Sequence, residues 1–223
     1  KRIVEIRPAE GGEDSFLFAR ELALAYGKLF AGALKEQIVD SPTRQLLIEV
    51  SGEDLTPLEN EAGGHRVQRV PPTEKRGRVH TSTVTVAITD PDSAPEFTLR
   101  DDEIRVEWFS GTGKGGQHRN KHQNSCRIIH TPTGTVETRQ GRHRDANYRD
   151  ARTALEKRLT QHAEIKSKKN TDTKRREQVG SGMRADKTFT IQFQNNKAIS
   201  HTSNKAITAT RYMNGYMDEL WNQ

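Results

Sequence analysis

Ser110-Gly111-Thr112-Gly113-Lys114-Gly115-Gly116-Gln117-His118-Arg119-Asn120 is the stretch from which the rest of this chain can be read outward. Four of the six residues from Gly111 to Gly116 are glycine. Such a run builds neither a helix nor a sheet face cheaply, because glycine loses the most conformational freedom on folding and offers no side chain to pack. It suits backbone that takes positive φ, or that approaches a ligand more closely than a Cβ allows. Gln117 brings an amide donor, an acceptor and a backbone N–H, but no ionisable group. Chemistry at this loop therefore rests on positioning and hydrogen bonding. No Gly-Lys-Ser/Thr closes the loop, and the Gly-x-Gly-x-x-Gly spacing is absent, so neither nucleotide-phosphate motif applies. A glycine-rich loop alone is most simply a surface turn. Here Lys114, Arg119 and Lys121 surround it with positive charge, and the alternation Ile104-Arg105-Val106-Glu107-Trp108-Phe109 leads into it as a strand. The reading is a basic loop tip on a rigid β base.

Working outward, Ser125–Thr131 and Thr135–Gln140 read as two more strands, joined by Thr131-Pro132-Thr133-Gly134. Asp145 to about Lys168 reads as a long polar helix with Ala151, Leu155 and Leu159 as a thin apolar seam. Lys166–Gln178 reads as a basic, low-complexity connector. Upstream, Val4 and Ile6 mark a strand, and Gly11-Gly12 breaks the chain. Glu13 and Asp14 then open a helix whose apolar residues run from Phe16 through Leu22, Tyr26 and Leu29 to Ala33 and Leu34. Leu46, Ile48 and Val50 alternate, as do Val84, Val86 and Ile88. Pro91–Pro95 reads as a linker. Phe189, Ile191 and Phe193 give a final strand, and Tyr212–Trp221 a short helix. This order predicts an α+β protein. A larger α/β superdomain would carry the glycine-loop domain as an insert on mobile linkers. The expected boundaries are 1–95, 96–178 and 179–223, the last segment packing with the first.

Charge is unevenly spread. The chain of 223 residues carries a net +6, yet residues 1–62 hold 7 Lys/Arg against 12 Asp/Glu. Within 142–187 there are 14 basic and 7 acidic residues. A basic part attached to an acidic part is the pattern of a nucleic-acid binder with one face kept away from phosphate. The single cysteine, Cys126, forms no intrachain disulfide and, with scattered histidines, no zinc site. Its neighbours Ile128 and Ile129 make it a small buried apolar residue of a strand. No signal peptide and no apolar run of membrane-spanning length is present, so a cytoplasmic protein is expected.

The loop resembles the catalytic Gly-Gly-Gln loop of bacterial class I peptide-chain release factors. Two further stretches resemble the stop-codon-reading segment of that family: Gly64-His65-Arg66-Val67-Gln68-Arg69-Val70-Pro71-Pro72-Thr73-Glu74 and Gly77-Arg78-Val79-His80-Thr81-Ser82. Gly180-Ser181-Gly182-Met183-Arg184, followed by Phe189-Thr190-Ile191, resembles its C-terminal domain. The motifs fall in the family's order and cover most of the chain.

The resemblance implies a termination factor that reads UAA and UAG and triggers hydrolysis of peptidyl-tRNA. The ribosome would supply part of the site. Pro71, Pro72 and Thr73 would form the Pro-x-Thr element at the first and second codon positions. The prolines stiffen the loop and remove two donors. His80 would stack between the second and third bases, with Val79 beside it. Gln68 and Thr81 would meet the third base, since an amide or a hydroxyl can accept from adenine or donate to guanine. Gly11 and Asp14 match the family's contact for the first uridine, where the family usually has Glu in place of Asp14. Gly115, Gly116 and Gln117 would be catalytic. Lys114, Arg119, Lys121, Arg142, His143 and Arg144 would contact rRNA phosphate. Gln117 is commonly methylated in the family, which implies a glutamine methyltransferase as a partner. No metal or organic cofactor is implied. Nothing in the chain matches the helical domain that longer members place first for contact with a GTPase, so no GTPase partner is expected.

Two other readings stay open. A ribosome-rescue hydrolase would carry the Gly-Gly-Gln lobe and a basic tail without strict stop-codon dependence, and Pro71-Pro72-Thr73 with His80-Thr81 argues against it. A non-catalytic RNA-binding competitor for the A site would carry an altered loop, and here the loop is intact.

Overall fold

The structure is a computed structural model that describes residues 1–30, 34–35, 44–91 and 98–221. In chain order the elements are β1 (Arg2–Pro8), α1 (Glu13–Leu29), β2 (Leu34–Lys35), β3 (Leu46–Val50), a 3₁₀ turn over Thr56–Glu61, β4 (Gly63–Arg69) and β5 (His80–Thr89). Then follow β6 (Ile104–Phe109), α2 (Gln117–Lys121), β7 (Ser125–His130), β8 (Thr135–Arg139) and α3 (Arg144–Val179). The last elements are β9 (Phe189–Gln192), β10 (Lys197–Ser200), β11 (Ala206–Ile207), α4 (Ala209–Met213) and a 3₁₀ turn over Met217–Leu220. They form two compact units, one of Lys1–Pro91 with Thr171–Gln223 and one of Asp92–Asn170.

The first unit is built on a mixed sheet in the order β11-β10-β9-β4-β5-β1-β3-β2. Every pairing is antiparallel except that of β4 with β9. The alternation read at Leu46, Ile48 and Val50 is a strand buried at those positions. In α1, Glu13 and Asp14 stand at the positive end and Lys28 in the last turn, as the helix dipole favours. Phe18, Leu22 and Tyr26, one turn apart, are fully buried against the sheet residues Val4, Ile6, Val84 and Val86. Each such side chain contributes roughly 1.5–3 kcal/mol of transfer free energy. The helix ends at Leu29, so Leu34 lies in β2 and not on the helix, while Ala33 lies outside the described residues.

β4 is the strand that periodicity does not reveal. It is central, and its buried positions include Gly63, Gly64, His65 and Arg69. His65 belongs to a buried network around Glu61. The Glu61 carboxylate accepts from Tyr26 (2.8 Å), Tyr212 (2.7 Å) and Trp221 Nε1 (2.6 Å), and lies 3.2 Å from His65 Nε2. Burial, reinforced by the Glu61 charge, pushes the Tyr26 and Tyr212 hydroxyls well above their ordinary pKa.

The second unit is the antiparallel sheet β6-β7-β8 with the first turns of α3. Cys126 and Ile128 of β7 pack with Ala151, Leu155 and Leu159 of the helix seam. Cys126 is fully buried, and that burial pushes its thiol up. The stretch Lys166–Gln178, expected as a low-complexity connector, is instead helical: α3 runs unbroken over 36 residues. Its Lys, Arg, Glu and Gln residues are good helix formers without an apolar period to announce them. Near its end, Arg175 is paired with Glu5, and the Gln178 amide exchanges two hydrogen bonds with the backbone of Ile88 (2.8 and 3.0 Å). Of the Pro91–Pro95 linker, residues 92–95 lie outside the described residues. Among the described residues, no helix is long and apolar enough to cross a membrane, and no group of three His, Cys, Asp or Glu could hold a metal.

Candidate functional site

The first candidate surface lies at one end of β4 and β5. Their register sets Gln68 opposite Thr81 and Arg69 opposite His80, so the loop Val70–Val79 springs directly from the proposed base-reading residues. Within it, Glu74 N–H donates to Pro71 O at 3.0 Å, closing a turn with Pro72 and Thr73 at its centre. Proline suits the second position of such a turn, because its fixed φ is the one required there. Pro71 is buried, while Pro72 and Thr73 are exposed at the tip.

Glu74 organises the rest of the loop. Its carboxylate accepts from the Arg76 N–H (2.7 Å) and from Arg78 (2.9 and 3.1 Å), and meets His80 Nε2 at 2.9 Å. The Glu74 side chain is 5% exposed. The Arg76 amide first, and the Arg78 guanidinium after it, hold that carboxyl below its ordinary pKa. The edge of the His80 ring is thereby held while the residue stays exposed, and Val79 beside it is 57% exposed. The sequence reading gave Glu74 no role. Its signal was a lone acid among Lys75, Arg76 and Arg78.

Gly11 and Asp14 arrive from far away in sequence. Gly11 has φ +127°, and a Cβ there would collide with Ser82, reaching within 2.9 Å of its Cα. The chain therefore crosses the start of β5 only if this residue is glycine. Ala9 N–H donates to Thr83 O, and Thr83 N–H to Glu10 O, fastening the crossing. Asp14 is 3% exposed and faces inward, accepting from Arg69 Nε (2.9 Å) and Ser82 Oγ (2.7 Å). Arg69 also donates to Glu21 at 2.6 Å and lies over the rings of Phe18 and Phe193. So the Asp14 carboxylate is a brace that joins the start of α1 to both strands. Its pairing with Arg69 was not legible in the sequence. Asp14, Arg69, Ser82 and His80 thus share one face at this end of β4 and β5, Gln68 and Thr81 stand side by side on the other, and Gly11 crosses at Ser82, with Pro72, Thr73 and Val79 on the connecting loop.

The second candidate surface is the glycine loop between β6 and α2. Gly116 has φ +82° and caps α2, so Gln117 opens that helix. The Gln117 N–H then has no carbonyl one turn earlier to bond. Gln117 and Gly116 are both exposed, and a Cβ on Gly116 would meet nothing within 4 Å. Gly115 differs, because a Cβ there would run into the Arg119 side chain.

Arg119 is folded under the loop. Its guanidinium donates to Lys114 O (2.6 Å) and Gln140 Oε1 (3.0 Å), and its own carbonyl accepts from Gly111 N–H (2.9 Å). Arg142 Nε donates to Gly115 O at 3.1 Å, and Arg144 stacks over Trp108 at 4.0 Å. Of the cations expected as phosphate contacts, Arg119 is thus half-buried under the loop, while Arg142 and Arg144 make these contacts and stay exposed. Lys114, Lys121 and His143 are exposed around the tip. Gln140, which anchors Arg119 and accepts from Thr112 N–H, carried no sequence signal at all.

A PCRF domain model matches residues 1–86, and an RF-1 domain model matches residues 93–202. Over 230 residues the chain is 36% identical to Peptide chain release factor 1 of Lactobacillus johnsonii, an alignment covering 99% of this chain and 64% of that protein. With Peptide chain release factor 1 of Thermotoga maritima the identity is 35%, covering 99% and 67%. Among solved structures, RF2 of Thermus thermophilus superposes with a TM-score of 0.50 at 25% identity, over 98% of this chain and 65% of that one. The chain thus spans about two thirds of the length of the relatives it matches.

Proposed function

This chain belongs to the bacterial class I peptide chain release factors, of the release factor 1 type, and from that premise we propose that it ends translation at UAA and UAG by triggering hydrolysis of the peptidyl-tRNA ester. The observation that carries the proposal is the convergence at the β4–β5 end. Residues separated by up to 70 positions, from Gly11 to Thr81, meet at one edge beneath an exposed Pro72-Thr73 turn.

In this reading Thr73 at the turn tip meets the second base. Pro71 and Pro72 pre-set the turn, so little entropy is lost on docking. His80 stacks on a base with its orientation fixed by Glu74, and Val79 adds an apolar contact. Gln68 and Thr81, side by side in register, read the third base. Gly11 brings the chain and the first turn of α1 to the first uridine, and Asp14 acts as the brace that holds them there. Single-stranded bases are read in this way, by edge hydrogen bonds and stacking.

At the other surface, the Gly116 conformation presents the Gln117 N–H outward. Water attacks the ester carbonyl, the bond to the ribose 3′ oxygen breaks, and that oxygen takes up a proton. The Gln117 N–H would face the charge that develops on oxygen along this path. A donor so used is worth roughly 2.7–4 kcal/mol. The Gln117 side chain orients water, Gly116 leaves room for the close approach, and Gly115 leaves room for the Arg119 side chain that holds the loop. Lys114, Lys121 and His143 contact rRNA phosphate, while Arg119, Arg142 and Arg144 hold the loop and its base. The ribosome and a glutamine methyltransferase acting on Gln117 are the partners of this reading, and the cytoplasm is its location.

The test is peptide release by the purified chain on ribosomes programmed with each stop codon and with sense codons. Release at UAA and UAG, with UGA and sense codons spared, is the expected result. Equal release at sense codons overturns the reader assignment. No release at any codon overturns the hydrolytic one.

A further inference from the structure

Gln68 is flanked on its other side by β9, where the parallel register sets it beside Gln192. Thr81, Gln68 and Gln192 therefore form one row across three neighbouring strands, on one face of the sheet. Gln192 Nε2 donates to Gln68 Oε1 at 2.8 Å, and Gln192 Oε1 accepts from Asn195 Nδ2 at 3.3 Å. The three amides run in one direction, each donating to the next, from Asn195 to Gln192 to Gln68. The turn that carries Asn195 is itself fastened: Asn196 N–H donates to Phe193 O, and Asn196 Oδ1 accepts from the backbone and hydroxyl of Thr210 at 3.0 and 2.9 Å. Phe193 N–H donates to Gln68 O at 3.0 Å, which locks the row in register.

An amide has one acceptor end and one donor end. With the Gln68 oxygen occupied by Gln192, the free end of Gln68 is its NH₂. Guanine offers two acceptors on its major-groove edge, N7 and O6, whereas adenine offers one acceptor, N7, and one donor, N6–H₂. The fixed Gln68 donor matches guanine O6 and leaves adenine N6 to the Thr81 hydroxyl, which can turn either way. Resting on the reading of Gln68 and Thr81 as third-base contacts, we infer that Gln192 is a positioning residue for codon specificity: it fixes the polarity of the Gln68 amide and so sets the balance between UAG and UAA.

Two variants of nearly the same size separate this from a structural role. Gln192→Glu has no donor and so turns the Gln68 NH₂ inward and its oxygen outward. Release at UAG should fall about tenfold while release at UAA stays within about twofold. Gln192→Met removes the relay and frees the Gln68 amide, and the UAG to UAA ratio should fall about threefold. The ratio is measured on a single preparation, so a loss of folded protein cancels from it. An unchanged ratio in both variants, with Gln68→Met altering release at either codon, overturns the role of Gln192 and leaves the third-base reading intact. An unchanged ratio in both Gln192 variants, with Gln68→Met also releasing at the parental rate at both codons, overturns both.

Discussion

The loop Val70–Val79 is gathered around a carboxylate, and the loop Ser110–Gly116 is gathered by guanidinium groups. In the first, Glu74 collects the Arg76 N–H, the Arg78 side chain and the His80 ring. In the second, Arg119 and Arg142 donate to the carbonyls of Lys114 and Gly115. An acid at the centre uses up donors and holds side chains outward by their edges. Bases at the centre use up carbonyls, so the amide N–H groups at the tip remain for something else. The difference matches the tasks proposed. Reading a base needs oriented side chains, whereas stabilising a developing negative charge needs unpaired backbone donors.

The sharpest way to break the comparison is Gly116→Ala. In the free protein the new methyl meets nothing, and its main cost is the backbone, because φ +82° with ψ 177° is a region almost reserved for glycine and costs another residue roughly 1–3 kcal/mol. Release should nonetheless fall about 10²- to 10³-fold, because the Gln117 N–H is displaced. Ribosome binding should stay near the parental value. Kinetics of release, measured beside a binding titration, decide it, and parental release would remove the backbone from the mechanism. Next in size is Asp14→Ala, which strips one partner from Arg69, a side chain only 9% exposed. Breaking a buried pair typically costs 3–5 kcal/mol, and with Glu21 still bonded to Arg69 the expected loss is near the lower figure, about 3 kcal/mol. Denaturant unfolding reads it. A change under about 1 kcal/mol would mean that Asp14 braces nothing.

Thr73→Ala comes third. It leaves the turn and its proline in place and removes one hydroxyl, so release at UAA and UAG should drop by about 2 kcal/mol in kcat/KM, the scale of a base-edge contact. Turnover once bound should change little. Equal rates for variant and parent would sink the reading of the second base. The smallest effect is expected from Glu74→Gln, about threefold at both stop codons, with the His80 ring released. Here pH sharpens the comparison. The Glu74 carboxyl is depressed below its ordinary value of 4.5, so its contribution is full above that value and fades as pH falls through the lower, folded one. Nuclear magnetic resonance of His80 should follow that loss in the parent and show none in the variant, while signals from Gln117 stay still in both.

How much of this was legible in the sequence depended on what signals the residues could send. Val4, Ile6, Leu46, Ile48, Val84 and Val86 alternate because one face of their sheet is dry, and their strands were read correctly. β4 escaped because it buries His65 and Arg69, whose partners Tyr212, Asp14 and Glu21 come from elsewhere in the chain. The end of α3 escaped because a solvated helix of charged residues has no period to read. Gly116 could be singled out from composition alone. The inward turn of Arg119 could not, since a folded and an extended arginine have the same sequence.

The parallel pairing of β4 with β9 has a consequence for how the chain is made. Val67 meets Ile191, and Tyr26 and His65 reach their Glu61 network beside Tyr212 and Trp221. Synthesis proceeds from the N-terminus, and domains fold as they emerge. β6, β7 and the seam of α3 lie nearby in sequence and leave the ribosome as a complete set, ready to collapse on one another. The sheet begun at β1 must wait with an open edge at β4 until β9 appears, so its closure is the late, slow event expected of long-range strand pairing. During that interval β4 is an unpaired edge, and its polar sequence, with two glycines and no run of apolar residues, makes it a poor template for a stray strand.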